Sequence, residues 1–405
     1  MRIAMISEHA SPLAALGGID AGGQNAHVAE LSAALAGHGH EVRVYTRRDG
    51  PDLPEVVPLG ARVDVVHVPV GPSAPLPKDD LLPYMGAFAQ WIAADWQREW
   101  RPDVAHAHFW MSGLAAVTAA RACEVPVVQT FHALGSVKRR HQGTADTSPL
   151  QRVGYERELG RAVDRVIVQC RDEMRELLRL GVPRGRMALV PSGVNTDRFH
   201  PDGPPAPRPA GRARILTVAR LVERKGIEDL VRALPHVPGA ELVVAGGPPP
   251  GELHADPYVA RLRRLIADCA VADRVRLLGA VAANEMPAWY RSADVLAAAP
   301  WYEPFGLTPL EAMACGVPVV ATAVGGLTDT VVDGVTGDLV PPRDPQALGA
   351  ALRRLLGDRM RRMSYGATAL ERATYAYAWP HVAARLTGVY ADVAATTSLP
   401  REAVA

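Results

Sequence analysis

The sequence lacks the features that would place it in a membrane, on nucleic acid or in an oxidising compartment. Among its 405 residues no run is long and apolar enough to span a bilayer, and the first residues read as a strand and a polar loop, not a signal peptide. Lys plus Arg number 44 against 43 Asp plus Glu, a balance that argues against a general nucleic-acid binder. The four cysteines show no C-x-x-C spacing, which predicts reduced thiols in a cytoplasmic protein. Peripheral membrane contact stays compatible with these absences.

The remaining composition predicts two domains. A chain of this length is too long for one ordinary core, and 48% hydrophobic residues are enough to fill two. Short β-branched runs alternate with helical patterns, which predicts an α/β protein with parallel, doubly wound sheets. A helix is predicted near residues 24–37 because apolar residues recur at helical spacing and a glycine ends the run. Strands are predicted near residues 2–6, 41–45, 63–68, 104–107, 125–130, 165–169, 215, 242–245, 275–278, 295–298 and 317–321.

A proline-rich segment divides this alternation. Residues 201–211 hold five prolines and two glycines in eleven positions, a composition typical of a stiff linker. We therefore expect an N-terminal Rossmann-like domain over 1–200 and a C-terminal one over 212–378, facing each other across a cleft. The last segment, 379–405, contains a helical pattern.

The segment from Glu303 to Glu311 predicts a ligand site. It follows a strand pattern and opens a helix pattern, and open α/β sheets bind ligands at such strand ends. We expect the helix to begin near Glu311 and to offer free N–H groups to a phosphate. Gly306 allows a ligand to approach the backbone, and the two carboxylates accept hydrogen bonds from hydroxyl groups. This combination favours a nucleotide-sugar, although a surface loop with a first-turn Glu would look the same in isolation.

Two cations follow another predicted strand. Arg220 and Lys225 stand just beyond the strand near residue 215. Alone, an Arg and a Lys at this spacing are usually solvated charges on the protein surface. Beside the double-Glu segment, the two charges suit a diphosphate and its departure as a leaving group.

Together with the glycine-rich segment Gly17–Asn25, these motifs resemble the retaining GT-B glycosyltransferases of family 4, the sucrose-synthase-like group. The resemblance extends from residue 1 to about residue 390 and implies a GT-B fold whose C-terminal helix returns to the first domain. It implies that Arg220, Lys225, Glu303 and His132 take part in catalysis. It also implies a nucleotide-sugar donor, most often UDP-linked in this group, and is compatible with a homodimer. Donor contacts are expected from Gly23, Gly279, Met286, Phe305, Gly306, Leu307, Thr308 and Glu311.

The acceptor side is expected in the first domain. Members that use D-inositol 3-phosphate or a sugar phosphate look most similar, through positions that include Asn25, Lys78, Phe109 and Arg152. Lys78 and Arg152 suit a phosphate. Phe109 and Ala133 stand where the inositol phosphate enzymes carry Tyr and Thr, so two hydroxyl donors are missing. The basic turn at residues 138–141 either replaces them or is a solvated surface.

His106 and His108 alternate on a predicted strand and point the same way. A zinc site would need further ligands that the sequence does not nominate, so we interpret both as cleft lining. No metal is expected in the reaction, because the two cations stabilise the leaving group and no D-x-D cluster occurs at a suitable place. Other readings are a non-catalytic nucleotide-sugar-binding or scaffold protein, and a phosphorylase or epimerase on the same fold.

Overall fold

The computed structural model describes residues 1–14 and 22–397, so Gly17 and Gly18 of the expected phosphate-binding segment lie outside the described residues. The chain forms two compact units, one made of residues 1–192 with the chain from Trp379 onward, the other of Gly193–Ala378. The strands are β1 (Arg2–Ile6), β2 (Glu41–Arg47), β3 (Val56–Gly60), β4 (Val63–Val68), β5 (Val104–His108), β6 (Val127–Thr130), β7 (Arg165–Val168), β8 (Met187–Leu189), β9 (Ala213–Val218), β10 (Ala240–Ala245), β11 (Val275–Gly279), β12 (Val295–Ala298), β13 (Val319–Thr322) and β14 (Gly337–Val340).

The α-helices of the described ranges surround these strands. They are α1 (Gly23–Gly37), α2 (Met85–Arg98), α3 (Trp110–Cys123), α4 (Gly135–Gln142), α5 (Arg152–Ala162), α6 (Arg171–Arg179), α7 (Ile227–Ala233), α8 (Pro257–Asp268), α9 (Met286–Arg291), α10 (Leu307–Ala314), α11 (Leu327–Thr330), α12 (Pro345–Gly357), α13 (Arg359–Tyr377) and α14 (Trp379–Thr397). The helix predicted near residues 24–37 is confirmed as α1. None of the described helices has the length and apolar character needed to cross a membrane.

The sheet of the first unit has the order β3-β4-β2-β1-β5-β6-β7-β8. Its central strands are largely buried on both faces, as parallel strands covered by helices must be, and β1 pairs in parallel with both β2 and β5. Only part of the expected parallel pattern holds at the edge, where β3 runs antiparallel to β4. The short run Val56–Gly60 was not predicted as a strand because it contains Pro58. Proline is nevertheless tolerated in a strand at the edge of a sheet.

The sheet of the second unit has the order β11-β10-β9-β12-β13-β14, with all pairs parallel. The strand order changes direction between β9 and β12, because β10 leaves β9 on one side and β12 joins it on the other. In the first unit the same change occurs between β1 and β5. Loops at such a change diverge to opposite faces of the sheet and leave a crevice at the carboxyl ends of the strands.

The division between the units falls after Ser192, upstream of the boundary expected at residue 200. Val194 N–H donates to the Tyr377 carbonyl, and Phe199 packs in the core of the second unit. Residues 201–211 have no helix or strand, but they are anchored to that unit and are not a bare linker. Ala206 N–H donates to the Ala288 carbonyl at 2.8 Å, and the buried Arg214 guanidinium donates to the Pro207 carbonyl at 3.0 Å.

Helix α14 belongs to the first unit. Trp379, Val382, Leu386 and Tyr390 lie in the same buried cluster as Val28 and Leu31 of α1. The four cysteines, all within the described residues, form no disulfide with one another, and three of them are buried.

Candidate active site

The double-Glu segment and the Arg/Lys segment meet where the strand order of the second sheet changes. Lys225 ends a short 3-10 helix after β9, and Glu303 lies in the loop after β12. Because β9 and β12 are neighbours in the sheet, their carboxyl ends lie side by side. The Trp301 N–H donates to the Arg224 carbonyl at 2.9 Å and fastens the two loops to each other. Residues 78 positions apart in sequence are thereby in direct contact.

Lys225 and Glu303 form an ion pair. The Lys225 Nζ donates to Glu303 Oε2 at 2.5 Å, and both side chains are half-buried. Burial by itself raises the pKa of the Glu303 carboxyl, but Lys225, assisted by Arg224 and Arg220, outweighs it and lowers that pKa below its ordinary value. Glu303 is therefore an acceptor-only carboxylate, fixed in place by a cation. Arg220 is exposed at the end of β9 and contributes to the same positive field.

Helix α10 begins at Leu307, so the expected start near Glu311 is wrong by about one turn. Gly306 precedes it with φ of 91°, and a Cβ there would lie 2.5 Å from Leu327 Cδ2. A glycine is therefore required both for conformation and for space. The unpaired N–H groups of the first turn come from Leu307 and Thr308, since Pro309 has none. Glu311 lies in the second turn and not beside these N–H groups.

Glu311 is held from inside the unit by Tyr290, which sequence analysis did not identify. The Tyr290 hydroxyl, on a fully buried side chain, donates to Glu311 Oε2 at 2.5 Å. Burial and the neighbouring carboxylate raise the pKa of Tyr290 well above its ordinary value, so the hydroxyl keeps its proton and remains a donor. No spacing in the sequence links α9 to α10, and only the fold brings the two residues together.

The other residues expected to contact the nucleotide-sugar differ in their structural roles. Gly279 ends β11, where its carbonyl accepts from Gly246 N–H at 2.8 Å. Met286 begins α9 and is partly buried against the core. Phe305 is 5% exposed and packs into that core, so its side chain supports the loop and only its backbone borders the site.

Two glycines after β13 support the Glu303 loop and were missed by sequence analysis. Gly326 N–H donates to the Glu303 carbonyl at 2.9 Å. A Cβ on Gly325 would lie 2.0 Å from that same carbonyl oxygen, and the residue has φ of 50°. The Gly-Gly pair in the sequence is a usable signal, because adjacent glycines after a buried strand indicate a close backbone approach.

The first unit gathers a second group of predicted residues where its strand order changes. His108 ends β5, and His132 follows β6 with φ of 60°, a left-handed conformation that is uncommon for a residue other than glycine. His108 Nδ1 lies 2.9 Å from His132 Nε2. His27 of α1 joins them, with ring centroids 5.6 Å from His108 and 4.9 Å from His132.

The interpretation of His106 and His108 as cleft lining is wrong for the side chains as the structure places them. Both side chains are fully buried, and His106 contacts the Tyr390 hydroxyl at 2.6 Å and Thr130 Oγ1 at 2.8 Å. Burial alone lowers the pKa of His27 to about 3. Burial, with a contribution from neighbouring imidazoles, lowers the pKa of His106 to about 3 and the pKa of His108 and His132 well below the ordinary value. The cluster is therefore neutral at physiological pH.

Arg152 lies beneath the surface with its charge compensated. It is 1% exposed and donates to Glu156 Oε1 at 2.7 Å, Ser148 Oγ at 3.1 Å and the Ala133 carbonyl at 2.7 Å. Its guanidinium also stacks on the Phe109 ring, 4.9 Å from the centroid. Phe109 has φ of 84° and is itself buried. Arg152 thus forms the floor beneath Phe109 and Ala133.

Gly23, expected as a donor contact, is exposed as the first residue of α1. Among the remaining acceptor candidates, Asn25 is buried and its side-chain amide binds the preceding loop, accepting from Gly22 N–H and donating to the Ser11 carbonyl. Lys78 is half-buried at the start of a 3-10 helix, not in an open loop. The basic turn is largely paired, because Lys138 contacts Asp146 at 2.9 Å and Arg140 contacts Glu176 at 2.6 Å.

Comparison with known proteins agrees with this geometry. Residues 22–193 match the family model described as "Glycosyl transferase 4-like domain", and residues 204–372 match "Glycosyl transferases group 1". The chain is 40% identical to the D-inositol 3-phosphate glycosyltransferase of Xylanimonas cellulosilytica over 96% of both chains. It is 38% identical to the protein of that name from Acidothermus cellulolyticus, over 97% of this chain and 91% of the other.

Solved structures show the same fold. The sucrose-phosphate synthase of Thermosynechococcus elongatus superposes with a TM-score of 0.88 at 31% identity, over 98% of this chain and 99% of that one. HepE of Anabaena, solved with UDP-glucose, has a TM-score of 0.74 at 19% identity, over 97% of this chain and 100% of that one, and so supports the fold alone. The chain therefore belongs to the GT-B glycosyltransferases of family 4 and is a glycosyltransferase enzyme.

Proposed function

We propose that the protein is a retaining hexosyltransferase that moves a glucose- or N-acetylglucosamine-type unit from a nucleoside diphosphate sugar, UDP-linked by family precedent, to a hydroxyl of a small phosphorylated polyol or sugar. The observation that carries the proposal is the Lys225–Glu303 ion pair at the strand-order change of the second sheet. It combines a cation for a diphosphate with a carboxylate for sugar hydroxyls at one point.

On the donor side, each group has a distinct task. A lysine ammonium has three N–H groups, and the contact with Glu303 uses one. Lys225 and Arg220 stabilise the negative charge that grows on the leaving diphosphate, and the first-turn N–H groups of Leu307 and Thr308 add to this stabilisation. Glu303 accepts hydrogen bonds from hexose hydroxyls, and Glu311, oriented by Tyr290, accepts them from the ribose.

Retention follows if the acceptor hydroxyl attacks on the face from which the diphosphate leaves. A donor phosphate oxygen then takes the acceptor's proton, and no side chain acts as the nucleophile. His132 hydrogen-bonds to a hexose hydroxyl. A metal ion is unnecessary for this step, because the two cations supply the positive charge.

The acceptor is proposed from the chemistry of the first unit and from the relatives' names. D-inositol 3-phosphate and the substrate of a sucrose-phosphate synthase are both phosphorylated, and the chain is similar to both kinds of enzyme. Lys78 is the proposed phosphate contact, because Arg152 is paired with Glu156. Phe109 and Ala133 offer no hydroxyl to a polyol, so this part of the chain is not a close copy of the inositol phosphate site. A sugar phosphate is therefore a second candidate acceptor.

A matrix of donors and acceptors tests the proposal. Purified full-length protein is incubated with UDP-, GDP-, ADP- and dTDP-linked hexoses, each with inositol 3-phosphate, fructose 6-phosphate or the dephosphorylated acceptor. Release of nucleoside diphosphate is measured, and products are assigned by mass spectrometry and by the anomeric coupling in NMR spectra. We expect an α-linked product from an α-linked donor, and a KM at least about tenfold lower for the phosphorylated acceptor, since a charge-assisted hydrogen bond contributes about 1.5–3 kcal/mol.

Three outcomes contradict the proposal. Inversion of the anomeric centre removes the retaining mechanism. Donor turnover that is independent of any acceptor favours the epimerase reading. Binding of nucleotide in a thermal-shift assay without turnover of any pair favours a non-catalytic nucleotide-sugar-binding protein, and a fully occupied site is recognisable there because a ligand at 100 times its Kd stabilises a fold by about 2.7 kcal/mol.

Replacing Tyr290 by phenylalanine tests the role of Glu311. The substitution keeps the buried ring and removes the hydroxyl that orients the carboxylate. We expect nucleotide affinity to fall by about tenfold, because a hydrogen bond to a charged group contributes about 1.5–3 kcal/mol. Calorimetric titration with the nucleoside diphosphate measures the change. Tyr365→Phe is the matched control, since its hydroxyl donates to Asp338 at 3.1 Å in the same unit. Equal losses in both variants would contradict the role.

A further inference from the structure

Three histidines of the first unit converge, and among the described residues no carboxylate belongs to the group. One ring nitrogen each from His27, His108 and His132 can be chosen so that all lie within 4.8 Å of one another. His108 Nδ1 and His132 Nε2 are already 2.9 Å apart. The three residues come from a helix, a strand end and the loop after the neighbouring strand. His27 is 81 positions from His108 and 105 positions from His132 along the chain. Sequence analysis identified His108 from the strand alternation and His132 from the family resemblance, whereas only the fold brings His27 close to them.

The outward-facing nitrogens of two of these rings have partners of their own. His27 Nδ1 lies 2.7 Å from Ser192 Oγ, and His108 Nε2 lies 3.3 Å from Met5 Sδ. Such partners fix the tautomer of an imidazole and direct its lone pair to the other nitrogen, which is how metal-binding histidines are usually held. Trp379 packs edge-on against His27, 5.1 Å between centroids, and restricts that ring further.

The spacing is close to what a tetrahedral ion requires. A Zn–N bond of 2.0–2.1 Å places two nitrogens of a tetrahedral site about 3.4 Å apart. The observed spacing runs from 2.9 Å to at most 4.8 Å, so shifts of about 1 Å or less in the rings close the site. A set of three imidazoles suits Zn²⁺, Co²⁺, Ni²⁺ or Cu²⁺, whereas Mg²⁺ and Ca²⁺ require oxygen ligands.

We propose that His27, His108 and His132 form a binding site for a divalent transition-metal ion of the Zn²⁺ class, with the fourth coordination position open to water. The ion bridges α1 and the ends of β5 and β6. The ion is not a cofactor of the proposed transfer chemistry, which needs no metal.

One consequence rests on the proposed function. A bound ion occupies His132 Nε2, and we have proposed that His132 hydrogen-bonds to the donor hexose. Zn²⁺ is therefore an inhibitor that competes with the sugar part of the donor, so it raises the KM for the nucleotide-sugar while leaving the affinity for the free nucleoside diphosphate unchanged.

Metal titration of the full chain provides the test and does not depend on activity. Chelator-treated protein is titrated with Co²⁺, whose visible d–d absorption is intense in tetrahedral sites, and then with Zn²⁺ in competition with a chromophoric chelator. We expect one Co²⁺ per chain with the tetrahedral spectrum and displacement by Zn²⁺. His27→Gln and His132→Ala are each expected to weaken binding by about 100-fold or more, since loss of an outer partner alone costs 10–100-fold.

His67→Gln is the matched control. His67, on β4, is also a buried histidine of the first unit, but its Nδ1 lies 2.7 Å from the Pro54 carbonyl oxygen and not in the cluster. Binding must survive in this variant. Failure of the wild-type protein to bind Co²⁺ or Zn²⁺ stoichiometrically overturns the proposal and identifies the cluster as a hydrogen-bonded chain of neutral imidazoles. Binding that is insensitive to both His27→Gln and His132→Ala overturns it as well, and nucleotide binding in the same samples reports separately on the proposed function.

Discussion

Lys225→Ala is expected to lower kcat by about 100-fold or more, because the proposed role of Lys225 is to stabilise the charge on the departing diphosphate. The variant also leaves the half-buried Glu303 without its closest cation. Steady-state kinetics with the preferred donor and acceptor measure the loss. A kcat near the wild-type value would contradict the role of Lys225.

The same variant should change the pH dependence in a defined direction. In the wild-type protein Lys225 lowers the pKa of Glu303, so the carboxylate stays ionised as the pH falls below its ordinary pKa. In Lys225→Ala only Arg224 and Arg220 remain to oppose burial, and the pKa of Glu303 rises. The acidic limb of the kcat/KM profile is therefore expected to move to higher pH. An unchanged acidic limb would mean that Glu303 does not contribute as a carboxylate.

Two controls separate charge from position. Lys225→Arg keeps the charge with a different shape, and we expect it to retain the wild-type acidic limb while recovering only part of kcat. Arg212→Ala removes a cation of the same unit from an exposed pair with Asp273. Exposed pairs contribute little, so activity and pH profile are expected to remain unchanged in that variant.

Gly325→Ala is expected to destabilise the second unit and to impair the donor site together. Its Cβ would lie 2.0 Å from the Glu303 carbonyl oxygen, so the loop that carries the Glu303 carboxylate has to move. We expect a loss of about 2 kcal/mol or more in the free energy of unfolding. We also expect kcat/KM to fall by at least about tenfold, because a shift of about 1 Å in a reacting group costs up to 10²-fold. Thermal unfolding and steady-state kinetics measure the two effects.

Gly334→Ala isolates the effect of the collision. Gly334 has φ of 74°, but a Cβ there would meet nothing within 4 Å. The left-handed conformation alone costs about 1–2 kcal/mol, so this variant should lose stability and keep its kcat/KM. If Gly325→Ala behaved in the same way, the contact with the Glu303 loop would have no bearing on the donor site.

Local patterns were sufficient for most of the architecture. Strands β1, β4 and β12 were predicted with their observed bounds, and the alternation of strands and helices correctly indicated two doubly wound sheets. Strand β3 was missed because Pro58 interrupts a short edge strand. The start of α10 was misplaced because Gly306 and Pro309 look like loop residues, although glycine before a helix and proline in its first turn are both compatible with helix initiation.

Within the candidate site, sequence analysis identified the charged residues but not the residues that hold them in place. Tyr290 beneath Glu311 leaves no trace in spacing, since the contact joins two different helices. The adjacent glycines 325 and 326 signal a close backbone approach, but only the fold shows that Glu303 is what approaches. Arg152 was expected to contact the acceptor phosphate, and only the fold revealed that Glu156, one helical turn later, compensates its charge in the interior. His106 was interpreted as cleft lining because strand alternation gives the side of a sheet and not what covers that side.

The sequence by itself determined the fold class, the family and the placement of Lys225, Arg220 and Glu303 at strand ends, because periodicity and short motifs are local properties. The tertiary structure alone decided the Lys225–Glu303 distance, the partner of Glu311 and the meeting of His27 with His108 and His132. These depend on which strands are neighbours in a sheet. Strand order is set by the packing of the whole unit and not by any segment of it, so the chemistry of contacts appears only when the chain is folded.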